Sequence, residues 1–355
     1  MTGKRLLFCA LAVFALSLRL PAAPQTTTVW RNEIGQEVHG ELSGVYGPYA
    51  LIASKTQSSF MPLVWLDTPS LDRVANFLAQ QPQQAPLWKD SSSDVSRALR
   101  KRLQILQGEK LAPFDYAQRP EPEFYLVYFS AHWCGPCRRF TPKLRETYQR
   151  LRAHPAVSDR FELIFISSDE NVHEQRHYAQ EASMPWPMVG FNSLGSVGIL
   201  EHLKGNGIPC LVVVNRKGHI LFHSYQGAEY LGPEDPLDKF IALMDQSAPT
   251  HPETKLARHR LAIRQYVLAG ATTNLPPKPY LIDFDLSRYA DLPVKNFMLR
   301  ATIDEQGTVT DARTDPALPA VSEAMLVNDA KSWRFLPAIE NGVPTVKSVA
   351  IPFTL

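Results

Sequence analysis

The chain has 355 residues, 45% hydrophobic and 20% charged, which suits two or three domains with ordinary cores. A formal net charge of +2 gives no footing for a nucleic-acid surface or a strongly acidic substrate. Four cysteines are too few for a disulfide scaffold.

At the N-terminus, Lys4 and Arg5 precede the apolar run Leu6 to Leu18, Arg19 closes the run, and the small residues Ala22 and Ala23 follow Pro21. This layout predicts an export signal over residues 1–23. A membrane span needs roughly 20 apolar residues, so no lasting span is expected, and an uncleaved anchor is the alternative. The mature chain is then periplasmic or secreted. Its remaining cysteines are Cys134, Cys137 and Cys210.

Residues 27–79 hold short β-like runs, at Val29-Trp30, Glu37 to Leu42, Tyr49 to Ala53 and Phe60 to Leu66, punctuated by Gly35, Gly44, Gly47 and Pro48. A short helix follows from Leu71 to Leu78. The pattern Trp30-Arg31, Gly35, Gly40-Glu41-Leu42, Gly44 and Met61-Pro62-Leu63 resembles the small SH3-like barrel of the SLA homology domains. That resemblance implies a binding or packing module with no chemistry of its own. Residues 80–94, rich in Gln, Pro and Ser, read as a flexible linker. A basic helix from Asp94 to Gln107 then leads into the next unit.

Residues 95–247 alternate strand and helix. Phe124 to Phe129 and Phe161 to Ile166 are continuous apolar runs, as expected of strands buried on both faces. Helices are predicted from Cys134 to Ala153, Asn171 to Ala182 and Leu237 to Met244. Leu211 to Val214 and His219 to His223 flank the turn Asn215-Arg216-Lys217-Gly218. The order predicts an α/β fold, a mixed sheet with helices on both faces.

The chemistry lies in Trp133-Cys134-Gly135-Pro136-Cys137, placed where a buried strand gives way to a helix. At a helix start, free N–H groups and the positive dipole end favour a thiolate. Cys134 is therefore the expected nucleophile and Cys137, one turn inside the helix, the resolving thiol. No second Cys-x-x-Cys pair accompanies them, so the pair reads as redox rather than half a zinc site, and no metal is expected. His132 is a candidate modulator of Cys134, the alternative being a solvent-exposed loop histidine.

The run Phe129-Ser130-Ala131-His132-Trp133-Cys134-Gly135-Pro136-Cys137-Arg138-Arg139-Phe140-Thr141-Pro142 resembles the thioredoxin superfamily, in its tryparedoxin and nucleoredoxin branch. Phe165 to Glu170, Met184-Pro185-Trp186 and Gly207-Ile208-Pro209 match the same branch. The resemblance implies a thioredoxin fold, with Trp133 shielding the site, Pro142 kinking the first long helix and Pro209 as a cis-proline facing the cysteines. Ile208 would offer backbone hydrogen bonds to an extended substrate segment. Two departures stand out. Tyr128 occupies the position where many thioredoxins carry a buried carboxylate, and Cys210 follows the cis-proline where threonine is common. Cys210 is either a buried inert residue or a third thiol within reach of the pair.

Residues 248–279 read as a polar helix and a proline-containing joint. In residues 280–355, strands are predicted from Phe297 to Ile303, Thr308 to Arg313 and Val346 to Phe353, with a helix from Val321 to Ala330. Ile303-Asp304-Glu305-Gln306-Gly307, Trp333-Arg334-Phe335-Leu336-Pro337-Ala338, Asn341-Gly342-Val343-Pro344 and Ile351-Pro352-Phe353 resemble the TonB C-terminal domain, an α+β unit. That resemblance implies docking to an outer-membrane protein.

The sequence thus predicts a multidomain, exported thiol-disulfide oxidoreductase. It works on client proteins through Cys134 and Cys137, recharged by another redox protein, with no cofactor beyond its own disulfide. The alternatives are a TonB-like scaffold with a redox-sensing domain and a tryparedoxin-like electron donor to a peroxidase.

Overall fold

The computed structural model describes residues 28–54, 58–82, 84–289, 291–292 and 294–354. The expected export signal over residues 1–23 lies outside these described residues. No helix among them is long and apolar enough to cross a membrane.

The central unit is built on a seven-stranded mixed sheet. Strands Phe124–Ser130 and Phe161–Ser167 run parallel at its centre. Cys210–Asn215 pairs antiparallel with the first, and Ile220–His223 lies outside it. On the other side, Met188–Val189 runs parallel to Phe161–Ser167. The hairpin Leu103–Gln107 and Lys110–Pro113 completes the sheet. Every residue of the two central strands is buried. Side chains alternate between faces along a strand, and the two cores divide accordingly. Phe124, Leu126, Tyr128, Leu163, Phe165, Leu211 and Val213 form one core with helices Gly135–Arg152 and Glu234–Gln246. Tyr125, Val127, Phe129, Ile164, Ile166, Val212 and Val214 form the other, with helix Asp94–Leu99 and the turns around Leu200.

Two segments depart from the sequence reading. The helix expected from Asp94 to Gln107 ends at Leu99. Val95, Leu99, Leu103 and Leu106 carry helical spacing, but Lys101 adopts a left-handed φ of 63° and turns the chain into the Leu103–Gln107 strand. That strand gains backbone partners from Val189, which the periodicity could not register. In the linker read over residues 80–94, the second half is packed rather than loose, while the described residues from 80 to 86 are exposed. Trp88 is 1% exposed and sits against Phe114, Tyr116 and Tyr125. Ser91 and Ser93 donate hydrogen bonds to the buried Glu121 carboxylate.

The first unit has a two-stranded sheet, Val29–Arg31 with Glu37–His39, and a three-stranded sheet of Glu41–Tyr46, Tyr49–Ala53 and Ser58–Pro62. Helix Thr68–Gln80 closes it, capped by the Asp67 side chain on Ser70 N–H. Tyr46 packs its ring on Phe124 and Phe60 stacks on Phe222, which ties this unit to the central one. Gly47 (φ 56°) faces the end of helix Glu234–Gln246 so closely that a Cβ would lie 2.3 Å from Ser247 Cα.

The last unit pairs Asn296–Ile303 with both Val309–Asp315 and Lys347–Thr354. Helix Ala320–Ser332 covers the sheet through Leu326 and Ala330. Helix Pro252–Ala269 bridges first and last units. Its Ala257 and Leu261 enter the first unit's core. Arg264 makes a two-pronged contact with Asp72 at 2.7 and 3.0 Å, and Arg260 donates to Leu66 O at 3.0 Å. His259 Nε2 donates to Phe335 O at 2.7 Å.

Candidate active site

Strand Phe124–Ser130 delivers the chain through Ala131, His132 and Trp133 to Cys134, the N-cap of helix Gly135–Arg152. Pro136 in the first turn suits this start, because its missing N–H would have no intrahelical partner there. Cys134 and Cys137 are joined as a disulfide with Cα atoms 5.2 Å apart. The Cys137 N–H donates to Cys134 Sγ at 3.2 Å, so a helix-end donor points at the sulfur. Cys134 is 4% exposed and Cys137 fully buried beside Ala131 and Ile208. Pro142 lies inside the helix, where it withholds one backbone donor.

The Ile208–Pro209 bond is cis, as the resemblance implied. Ile208 O stands 3.7 Å from Cys134 Sγ. Cys134, Cys137, Ile208 and Pro209 therefore come together from two distant stretches of sequence. Trp133, next to Cys134 in sequence, is 61% exposed. It lines an open cavity of about 530 Å³ with His132, Glu170, His173, Glu174 and His177.

Cys210 does not join the site. It pairs with Phe129 in the sheet and packs in the core on the face opposite helix Gly135–Arg152, fully buried. Burial pushes its thiol upward, away from a reactive thiolate. His132 is half-buried; its Nε2 stands 3.0 Å from Glu181 Oε2, and its backbone N–H donates to Asp169 Oδ1 at 2.7 Å.

Beneath the helix start, Tyr128 OH bonds Thr141 Oγ1 at 2.9 Å, and Thr141 Oγ1 bonds Cys137 O at 2.9 Å and Tyr178 OH at 2.7 Å. Tyr178 OH also bonds Ser130 Oγ at 2.9 Å. Burial pushes the Tyr128 phenol upward, so it stays protonated. The sequence reading missed Tyr230. From the hairpin Tyr225–Gln226 and Glu229–Tyr230, its hydroxyl donates to Pro209 O at 2.8 Å. Partial burial, helped by Tyr225, pushes its phenol up to about 12. The signal was present as two tyrosines flanking Gly227, a hairpin turn glycine with φ 62°.

Residues 122–220 match the family described as Thioredoxin-like. The chain is 34% identical over 135 residues to probable nucleoredoxin 1 of Arabidopsis thaliana, covering 36% of this chain and 22% of that protein. It is 37% identical over 111 residues to human nucleoredoxin, covering 31% of this chain and 24% of that protein. The chain thus spans under a quarter of these curated relatives' length. Among solved structures, tryparedoxin I of Leishmania major is 29% identical, covering 42% of this chain and 96% of that one at a TM-score of 0.31. Residues 122–220 are therefore a thioredoxin-like oxidoreductase domain related to the nucleoredoxins, with Cys134 and Cys137 as its Cys-x-x-Cys pair.

Proposed function

We propose that the chain is an exported thiol-disulfide oxidoreductase acting on client proteins. The observation that carries this reading is the Cys134–Cys137 disulfide at a helix start, beside the cis Ile208–Pro209 bond. In the reducing direction, the Cys134 thiolate attacks one sulfur of a client disulfide. A mixed disulfide forms and one client thiolate leaves. The Cys137 thiolate then attacks Cys134 Sγ and expels the second client thiolate, leaving the disulfide form of the pair. Two electrons pass to the client, and a dithiol redox protein restores them. The oxidising direction is the reverse.

Cys134 takes the nucleophile's part because it caps the helix and is the less buried sulfur. The exposed Trp133 ring and the Ile208 backbone supply the surface against which an extended client segment can lie. The N-terminal run supports export. The strand Lys347–Thr354, at the edge of its three-stranded sheet, supports a docking role for the last unit through strand pairing.

The test is Cys137→Ala trapping in the native compartment. The variant should hold clients as mixed disulfides on Cys134, and Cys134→Ser should recover none. Recovery of no adducts by Cys137→Ala would overturn client exchange.

A further inference from the structure

We propose that His132, His177 and Glu181 form a binding site for a borderline divalent transition metal, of the Zn²⁺ class, on the rim of the redox pair. The sequence alone predicts no metal, because Cys134 and Cys137 have no second Cys-x-x-Cys pair to complete a zinc site. The three donor atoms all lie within 4.8 Å of one another. His132 Nε2 and Glu181 Oε2 are 3.0 Å apart, and the His132 and His177 rings are 4.8 Å apart between centroids.

The ligands come from two elements. His132 sits in the turn between strand Phe124–Ser130 and helix Gly135–Arg152. His177 and Glu181 lie one turn apart on helix Val172–Glu181, so they share a face. Two imidazoles and one carboxylate form a donor set that suits Zn²⁺, Ni²⁺ or Cu²⁺ and leaves a fourth position open. His173 precedes His177 by a further turn and lines the same open cavity as His132 and His177.

Tetrahedral bonds of about 2.1 Å place ligand atoms roughly 3.4 Å apart. Closing the present arrangement to that spacing takes side-chain rotation alone. His177 and Glu181 are exposed and His132 half-buried, so nothing packed must move. The competing interaction is the Arg138–Glu181 ion pair, whose side chains are 48% and 39% exposed and therefore weakly held. Metal in this site ties the turn carrying His132 to helix Val172–Glu181. Trp133 and Cys134 follow His132 directly, so the loaded site fixes the entry to the redox pair.

The test is calorimetric titration of the untagged, disulfide-form full chain with Zn²⁺, which removes the thiolates as competitors. Wild type should bind one equivalent. His177→Ala and Glu181→Gln should each weaken binding at least tenfold, and Arg138→Gln, which releases Glu181, should tighten it. His154→Ala should change nothing. Absence of binding, or binding unmoved by His177→Ala and Glu181→Gln, overturns the site. Both of those side chains are exposed, and far-ultraviolet dichroism checks that the variants are folded.

Discussion

Tyr128 has no charge to lend to Cys137. Its hydroxyl instead joins Thr141, Tyr178 and Ser130 in a chain of bonds that holds the Cys137 carbonyl. With the phenol kept protonated by burial, this network positions the first helical turn but supplies no base. Tyr128→Phe should therefore cost about 0.5–1.5 kcal/mol of stability, one net hydrogen bond. Turnover of a model disulfide should stay near wild type; a large loss would mean that the hydroxyl carries protons. Tyr230→Phe removes the donor to Pro209 O, and should slow exchange with protein clients more than with small disulfides, as paired rate measurements would report. The cysteines and the cis-proline were legible because each sits in a short local motif. Tyr230 and His177 were not, because their partners are reached only through the fold.

At the scale of elements, Trp88 is the clearest case of a side chain that the surrounding composition concealed. A Gln-, Pro- and Ser-rich stretch reads as solvated chain, yet one indole in it fills a place among Phe114, Tyr116 and Tyr125. Trp88→Ala should cost about 3–5 kcal/mol, visible as a lower urea midpoint with an unchanged slope. A shift below the scatter of surface substitutions would return the segment to a linker. Strands Phe124–Ser130 and Phe161–Ser167 were legible because burial on both faces leaves an unbroken apolar run. The hairpin at Leu103–Gln107 was not, since its leucines keep helical spacing and only the left-handed Lys101 breaks the pattern. In the last unit, strand Asn296–Ile303 alternates buried and less buried residues, and the sequence reading agrees with it to within one residue at its start.

At the scale of the whole molecule, two histidines sit at the joints. His219 Nδ1 meets Ser43 Oγ at 2.6 Å between the first and central units, and His259 bonds Phe335 O at the last unit. Burial lowers both imidazoles below the usual 6.5, His219 with help from Lys217, and Glu41 and Asp94 oppose that shift. A lowered value means that the unfolded chain takes up the proton first as pH falls below 6.5. Stability therefore falls with acidification from 6.5 down to the folded values, and is flat below them. Denaturation at pH 7 and pH 5 should show that loss, and His219→Gln with His259→Gln should reduce it; an equal pH dependence in wild type and variant would refute the assignment. The Ser43 joint also fixes where the redox pair looks out. Asn215, which donates to Ser43 Oγ, pairs with Phe124 at the start of the central strand, whereas Cys134 follows that strand's end. The strand is seven residues long, about 20 Å from end to end. On the proposed reading, a client docked at that joint reaches the redox pair only on a tether of comparable length, so shortening such a client's loop would separate docking from exchange.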